Sequence, residues 1–137
     1  MLKRRYSIII CMIIAVLTGA VYTVYGEKGD IDLCRQFLEN YGWRVQKLPT
    51  DRTDVTIPAV FDLVYENYNK LQTEASLDLG PYRGMSGARY TFIVENYPVD
   101  VGEPVYANVI VINSVPVAGD IMTVSINGFM HSLNKTY

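Results

Sequence analysis

The sequence predicts an α+β fold. An N-terminal transmembrane helix leads into a small domain with an antiparallel sheet of about three to five strands packed against two helices. Three observations carry this. Residues 6–25 hold no charged side chain. Apolar residues recur at helical spacing in two later stretches, around residues 31–41 and 61–75. After Ala88 the period switches to alternation, and short connections between the runs favour antiparallel pairing.

The chain opens MLKRR, followed by YSIIICMIIAVLTGAVYTVY from Tyr6 to Tyr25. About 20 apolar residues match one helical crossing of a bilayer, where a helix satisfies its own backbone groups. Lys3, Arg4 and Arg5 on one side place the N-terminus in the cytoplasm. Residues 1–5 are then a cytoplasmic basic N-terminus, 6–25 a transmembrane signal anchor or a signal peptide, and 26–137 an extracytoplasmic domain. Thr18-Gly19-Ala20 offers a small-residue cleavage site, whereas the apolar run continuing to Tyr25 fits an uncleaved anchor better. If the segment is cleaved, the domain is secreted.

The formal net charge of −2 hides a contrast. Beyond Tyr25 there are nine basic and 14 acidic residues, a net −5. An acidic outer domain lacks the basic face that binding to phosphates requires, so nucleic acid is not an expected partner. Of the two cysteines, Cys11 sits inside the apolar run, and Cys34 alone has no partner for an internal disulfide. About 110 residues can fold on their own core without such staples. Cys34 reads as a small buried hydrophobe on a helix, with pairing between molecules as the alternative.

Within the outer part, Glu27 to Gly29 reads as a polar hinge and Asp30 as an N-cap. Ile31, Cys34, Leu38 and Tyr41 then form a helical stripe that Gly42 ends. Trp43 to Leu48 alternates as a short strand with Trp43 and Val45 inward. Pro49 to Thr53 reads as a turn-rich connection, and Val55-Thr56-Ile57 as a further short strand. Pro58 suits the first turn of a second helix, whose apolar face is Phe61, Val64, Tyr65, Tyr68, Leu71 and Ala75. Ser76 to Ala88 is loop-like. In RYTFIVENY, Tyr90, Phe92 and Val94 point one way. Val105 to Ile112 is apolar on both faces, Asn113-Ser114 is a two-residue turn, and Val115 to Val124 is a strand with a bulge or bend near Gly119. Both helices are expected on one face of this sheet.

Motifs for chemistry are scarce. There is no Cys-x-x-Cys, HExxH, Gly-rich phosphate loop or GxSxG, so zinc, metalloprotease and nucleotide readings lack their ligands. No catalytic residue, metal ligand or cofactor is assigned, and the binding residues are unknown. The single histidine, His131 in GFMHSL, reads as part of a wall, with its ring nitrogens held by backbone groups. The functional alternative makes it a general base oriented by Asp120 on the adjacent strand, in a small hydrolase. Asp120 is a carboxylate in an apolar stretch, either a buried polar contact or a residue at the bend facing water. Tyr82, Tyr90, Tyr97 and Tyr106 are two-sided in the same way: strand-forming residues, or the lining of a peptide or glycan groove.

FLENYGWRV, VYENYNKLQ, LGPYRG with RYTFIVENYP, and VAGDIMTVSINGFMHSL occur in that order. Together they resemble the small bacterial family catalogued as domain of unknown function 4830, over about residues 31–133. The chain departs from that pattern at Met85-Ser86-Gly87-Ala88. The resemblance implies a bacterial, outward-facing, anchored or secreted domain, and brings no activity, ligand or catalytic residue. The expectation is a non-enzymatic binding module at the cell envelope. Its partners would be the membrane, through the N-terminal helix, and an envelope protein or peptide. A self-assembling structural envelope protein is a further alternative.

Overall fold

The structure is a computed structural model that describes residues 2–134; within 2–25 it describes the side chains of Ile14, Ala15, Val16, Thr18 and Ala20 only. Most of the apolar segment 6–25, on which the transmembrane expectation rests, therefore lies outside the described side chains. Among the described residues no helix is long and apolar enough to cross a membrane.

Helix α1 runs unbroken over Leu2–Asn40. The expected hinge at residues 27–29 and the N-cap at Asp30 are absent. Gly26 and Gly29 each cost a helix only about 1 kcal/mol, and Glu27 and Lys28 are good helix formers. Asp30 lies within the helix, where the Tyr90 hydroxyl donates to it over 3.4 Å. The helix ends as its sequence predicts. Gly42 has φ of 86° and donates to the Glu39 carbonyl, while Trp43 N–H donates to that of Leu38. These two bonds form a Schellman stop.

Five strands follow: β1 (Asp51–Thr56), β2 (Ser86–Ile93), β3 (Tyr106–Ile112), β4 (Val115–Met122) and β5 (Met130–Ser132). They form one antiparallel sheet in chain order. The α+β class with an antiparallel sheet and helices is as expected. The details differ at the edges. β1 occupies most of the expected turn, because an edge strand that is exposed along nearly its whole length shows no alternation to read. The strand expected at Trp43–Leu48 reduces to one bridge, Val45 to Val94, although Trp43 and Val45 are buried as expected. β2 starts at Ser86, inside the expected loop. There Gly87 lies against the Val111 carbonyl with no room for a Cβ.

Helix α2 spans Leu63–Glu74 and starts at Asp62, not at Pro58, because the Asp62 carboxylate accepts the Tyr65 N–H and caps the first turn. Asn113 and Ser114 both have positive φ, as a type I′ hairpin turn requires. In β4 the bulge falls at Val117: Val111 faces Pro116 and Ile110 faces Ala118, which leaves Val117 as the extra residue. Pro116 has no N–H for the ladder, which is why the break comes here and not at Gly119.

The helices do not share a sheet face. Cys34 and Leu38 of α1 are buried on Ala88, Tyr90, Phe92, Ala107, Val109, Val111 and Ile121. Tyr65 and Tyr68 of α2, with Phe61, pack against Ile110, Ile112 and Ala118 of the opposite face. The sheet is apolar enough on both sides to take a cover on each, as the two-sided apolar run of β3 indicated. Gln72 of α2, fully buried, accepts the Gly119 N–H at 2.9 Å, where β5 has ended and no strand supplies an acceptor.

Candidate functional site

The Val117 bulge determines which β4 side chains face α2. A regular ladder leaving the Asn113-Ser114 turn would set Asn108 opposite Gly119. The extra residue sets it opposite Asp120 instead. Since a one-residue slip turns every side chain to the other face, the bulge turns Asp120 toward α2 and Ile121 into the α1 core.

Asp120 thus joins a row of cross-strand partners: Asp51, Thr91, Asn108, Asp120 and Ser132, one from each strand. The Thr91 hydroxyl donates to Asn108 Oδ1 at 2.7 Å, and Asn108 Nδ2 donates to Asp120 Oδ2 at 2.9 Å. From α2 the Tyr68 hydroxyl donates to Asp120 Oδ1 at 2.8 Å. Asp120 is 2% exposed. Burial raises its pKa, and the bonds from Asn108 and Tyr68 and the nearby Arg89 charge work against that rise. Burial, with the Asp120 charge behind it, holds the Tyr68 hydroxyl well above its ordinary pKa. Of the two readings of Asp120, the buried polar contact is the one found.

Over this row lies a cleft of about 500 Å³ between α2 and the sheet. Its walls are mostly apolar, with Val64, Tyr65, Leu71, Ile110, Met122 and Met130 among them, and Asn67, Tyr68, Arg89, Asn108 and Asp120 bring its polar groups. A smaller recess of about 280 Å³ continues along the row, past Asp51 and Thr91, and shares Arg89, Asn108 and Met122 with the cleft. The Arg89 side chain makes no hydrogen bond or ion pair among the described residues, and its Nε is buried without a hydrogen-bond partner there. Val64 of the wall is strongly exposed, as are Val60 and Leu63 just before and at the start of α2. A third recess, of about 590 Å³, lies by Arg52, Asp54 and Ser86. Its cation is already engaged: Arg52 bonds Asp54 at 2.8 Å and sits over the Tyr90 ring.

His131 lies elsewhere. It pairs with Ile121 while Asp120 pairs with Ser132, so His131 and Asp120 project from opposite faces of the sheet. The pairing that the hydrolase alternative requires does not form. His131 is 8% exposed; its Nδ1 lies 2.7 Å from the Ser132 carbonyl and its Nε2 lies 3.1 Å from the Tyr97 hydroxyl. Its ring stacks on Phe129 at 5.4 Å, and Tyr97 stacks on both Phe129 and Trp43. This is the wall arrangement, although only Nδ1 meets a backbone group and Nε2 meets a side chain, and Trp43 Nε1 donates to the Leu133 carbonyl at 2.8 Å beside it. The four tyrosines share no groove. Tyr90 is buried under α1, Tyr97 belongs to the aromatic stack, Tyr82 packs beside Ile57, and Tyr106 lines the small recess.

Among the described residues no group of three or more His, Cys, Asp or Glu is placed to hold a metal. Asp120 has both oxygens occupied, so it serves as an acceptor that fixes Tyr68 and Asn108 and not as a free base. Sequence reasoning missed Tyr68, Asn108 and Arg89. Asn108 carried a readable signal, as an amide inside the apolar run VYANVIVI. Tyr68 was indistinguishable from core, and Arg89 from an ordinary outward strand residue.

No family model, curated protein or solved structure matches this chain. The resemblance to domain of unknown function 4830 thus rests on the ordered motifs alone.

Proposed function

We propose that this chain is a membrane-anchored, extracytoplasmic, non-enzymatic module of the bacterial cell envelope, whose cleft between α2 and the sheet docks a protein or peptide partner. One observation carries the reading. The cleft has apolar walls, a few fixed polar groups and a guanidinium with no hydrogen bond among the described residues, with exposed Val64 in its wall and exposed Val60 and Leu63 close by in the chain. Apolar clefts with a few convergent polar groups are the usual form of a binding site, and exposed apolar surface beside one favours a macromolecule over a small solute. The anchor rests on the charge-free segment 6–25 and its basic flank. With that segment in a bilayer, the unbroken α1 holds the domain on a stiff stalk.

A photoreactive residue in place of Val64, in the full chain in its native cells, tests the reading. Crosslinking of one envelope protein from position 64, and not from Leu33 on the outer side of α1, is the expected result. Equal labelling from both positions contradicts it.

A further inference from the structure

We infer that the cleft receives the C-terminal residue of its partner polypeptide, with the free carboxylate on Arg89 and the apolar side chain between Tyr65, Leu71 and Ile110. This rests on the docking reading and specifies its ligand.

The argument starts from Arg89. A guanidinium offers five N–H donors in a fixed fork, and here none of them meets an acceptor among the described residues. A half-buried cation in that condition is costly unless a ligand completes it. Asp120 does not do so. Its oxygens accept one bond each, from Tyr68 and Asn108, and although its charge and that of Arg89 act on each other, no hydrogen bond or salt bridge joins the two among the described residues. A planar carboxylate is the group whose geometry matches the fork.

Charge and size narrow the ligand further. Asp51 and Asp120 lie along the same row on either side of Arg89's strand neighbours, and the outer domain is acidic. A polyanion is repelled, while a single carboxylate aimed at Arg89 is accepted. A cleft of about 500 Å³ has room for the side chain and carboxylate of a chain end. The cleft places a cation and an apolar wall side by side, and a C-terminal residue is the part of a polypeptide that bears a carboxylate and a side chain on one Cα. Val64 stands in the cleft wall, and the exposed Val60 and Leu63 near it in the chain give the rest of the partner a surface to rest on. A fatty acid would leave that surface bare.

Fluorescence anisotropy on the full 137-residue chain in nanodiscs tests this. The probe is a labelled Gly-Ser hexapeptide ending in phenylalanine with a free carboxylate. The inference predicts binding that weakens about tenfold or more when the carboxylate is amidated, as loss of a charge-assisted pair implies. Arg89→Gln should remove the difference between acid and amide, and Arg89→Lys should keep part of it, with both variants retaining the parent thermal transition. Equal binding of acid and amide, displacement of the probe by decanoate at lower concentration than by unlabelled peptide, or no binding of either peptide would each overturn the inference. The docking reading is judged separately, by whether crosslinks from position 64 reach a protein.

Discussion

Asn108 and Asp120 face each other across β3 and β4, with Nδ2 and Oδ2 2.9 Å apart, because Val117 is an extra residue in β4. Tyr68 completes the arrangement from α2, so one carboxylate joins helix to sheet at the floor of the cleft. The stability and shape of the cleft should therefore depend on this triad more than on any one apolar wall residue.

Tyr68→Phe leaves a lone pair of the buried carboxylate without its donor, at an expected cost of about 1–3 kcal/mol. Asp120→Ala strands two donors at once and should cost more. In a double-mutant cycle read by urea unfolding, the pair should couple by about 0.5–3 kcal/mol. Costs that add to within about 0.5 kcal/mol would show that the bond has no weight.

The pH dependence follows from the direction of the Asp120 shift. Its pKa is raised in the fold from the ordinary value of 3.8, so between the two values the folded state holds more protons than the unfolded state. Its contribution to stability is complete below the unfolded value and is lost as pH rises through the folded one. Asp120→Asn should abolish that slope, so the stability of the parent relative to the variant falls across this window. A parent curve parallel to that of the variant contradicts the shift.

Cys34 is fully buried, and burial, with the Asp30 charge second, pushes its thiol up to about 12. The thiolate is the reactive form, so the residue should resist alkylation in the native protein and react on unfolding. Peptide-level mass spectrometry after iodoacetamide treatment separates it from Cys11. Rapid labelling of Cys34 without denaturant would contradict the packing of α1 on the sheet.

His131→Ala should act on stability and not on any chemistry. It opens a cavity within the stack of Phe129, Tyr97 and Trp43 and leaves the Ser132 carbonyl short of a bond, for a loss of about 2–4 kcal/mol. The chain has one tryptophan, so a change in Trp43 emission reports the same event. An unchanged melting curve would mean that the C-terminal strand is not held as described.

What the sequence revealed and what it hid divides along physical lines. The alternation of β2 was legible because the strand buries one face. The α2 stripe was legible in part: Tyr65, Tyr68 and Leu71 turn inward, but Val64, expected on that face, is 72% exposed and Gln72, outside the stripe, is fully buried. The hinge expected at Glu27 to Gly29 failed because a glycine ends a helix only when capping bonds form there, as they do at Gly42. The first part of β1, Asp51–Asp54, was hidden because an exposed edge strand carries no period, whereas Val55 and Thr56 fall within the short strand expected there. The face of Asp120 was beyond reach, since it depends on one bulged residue at Val117, and without that register Asn108 and Asp120 are two unrelated polar residues.

The most direct test of the docking claim is the affinity of the captured envelope partner for variants of the full chain, measured in nanodiscs. Val64→Asp charges the apolar rim, and aspartate is tolerated in the first turn of α2. Leu33→Asp charges the outer side of α1. The account predicts that Val64→Asp weakens binding by about tenfold or more while Leu33→Asp leaves it unchanged. Weakening by Leu33→Asp with Val64→Asp unaffected would place the partner elsewhere and contradict the account.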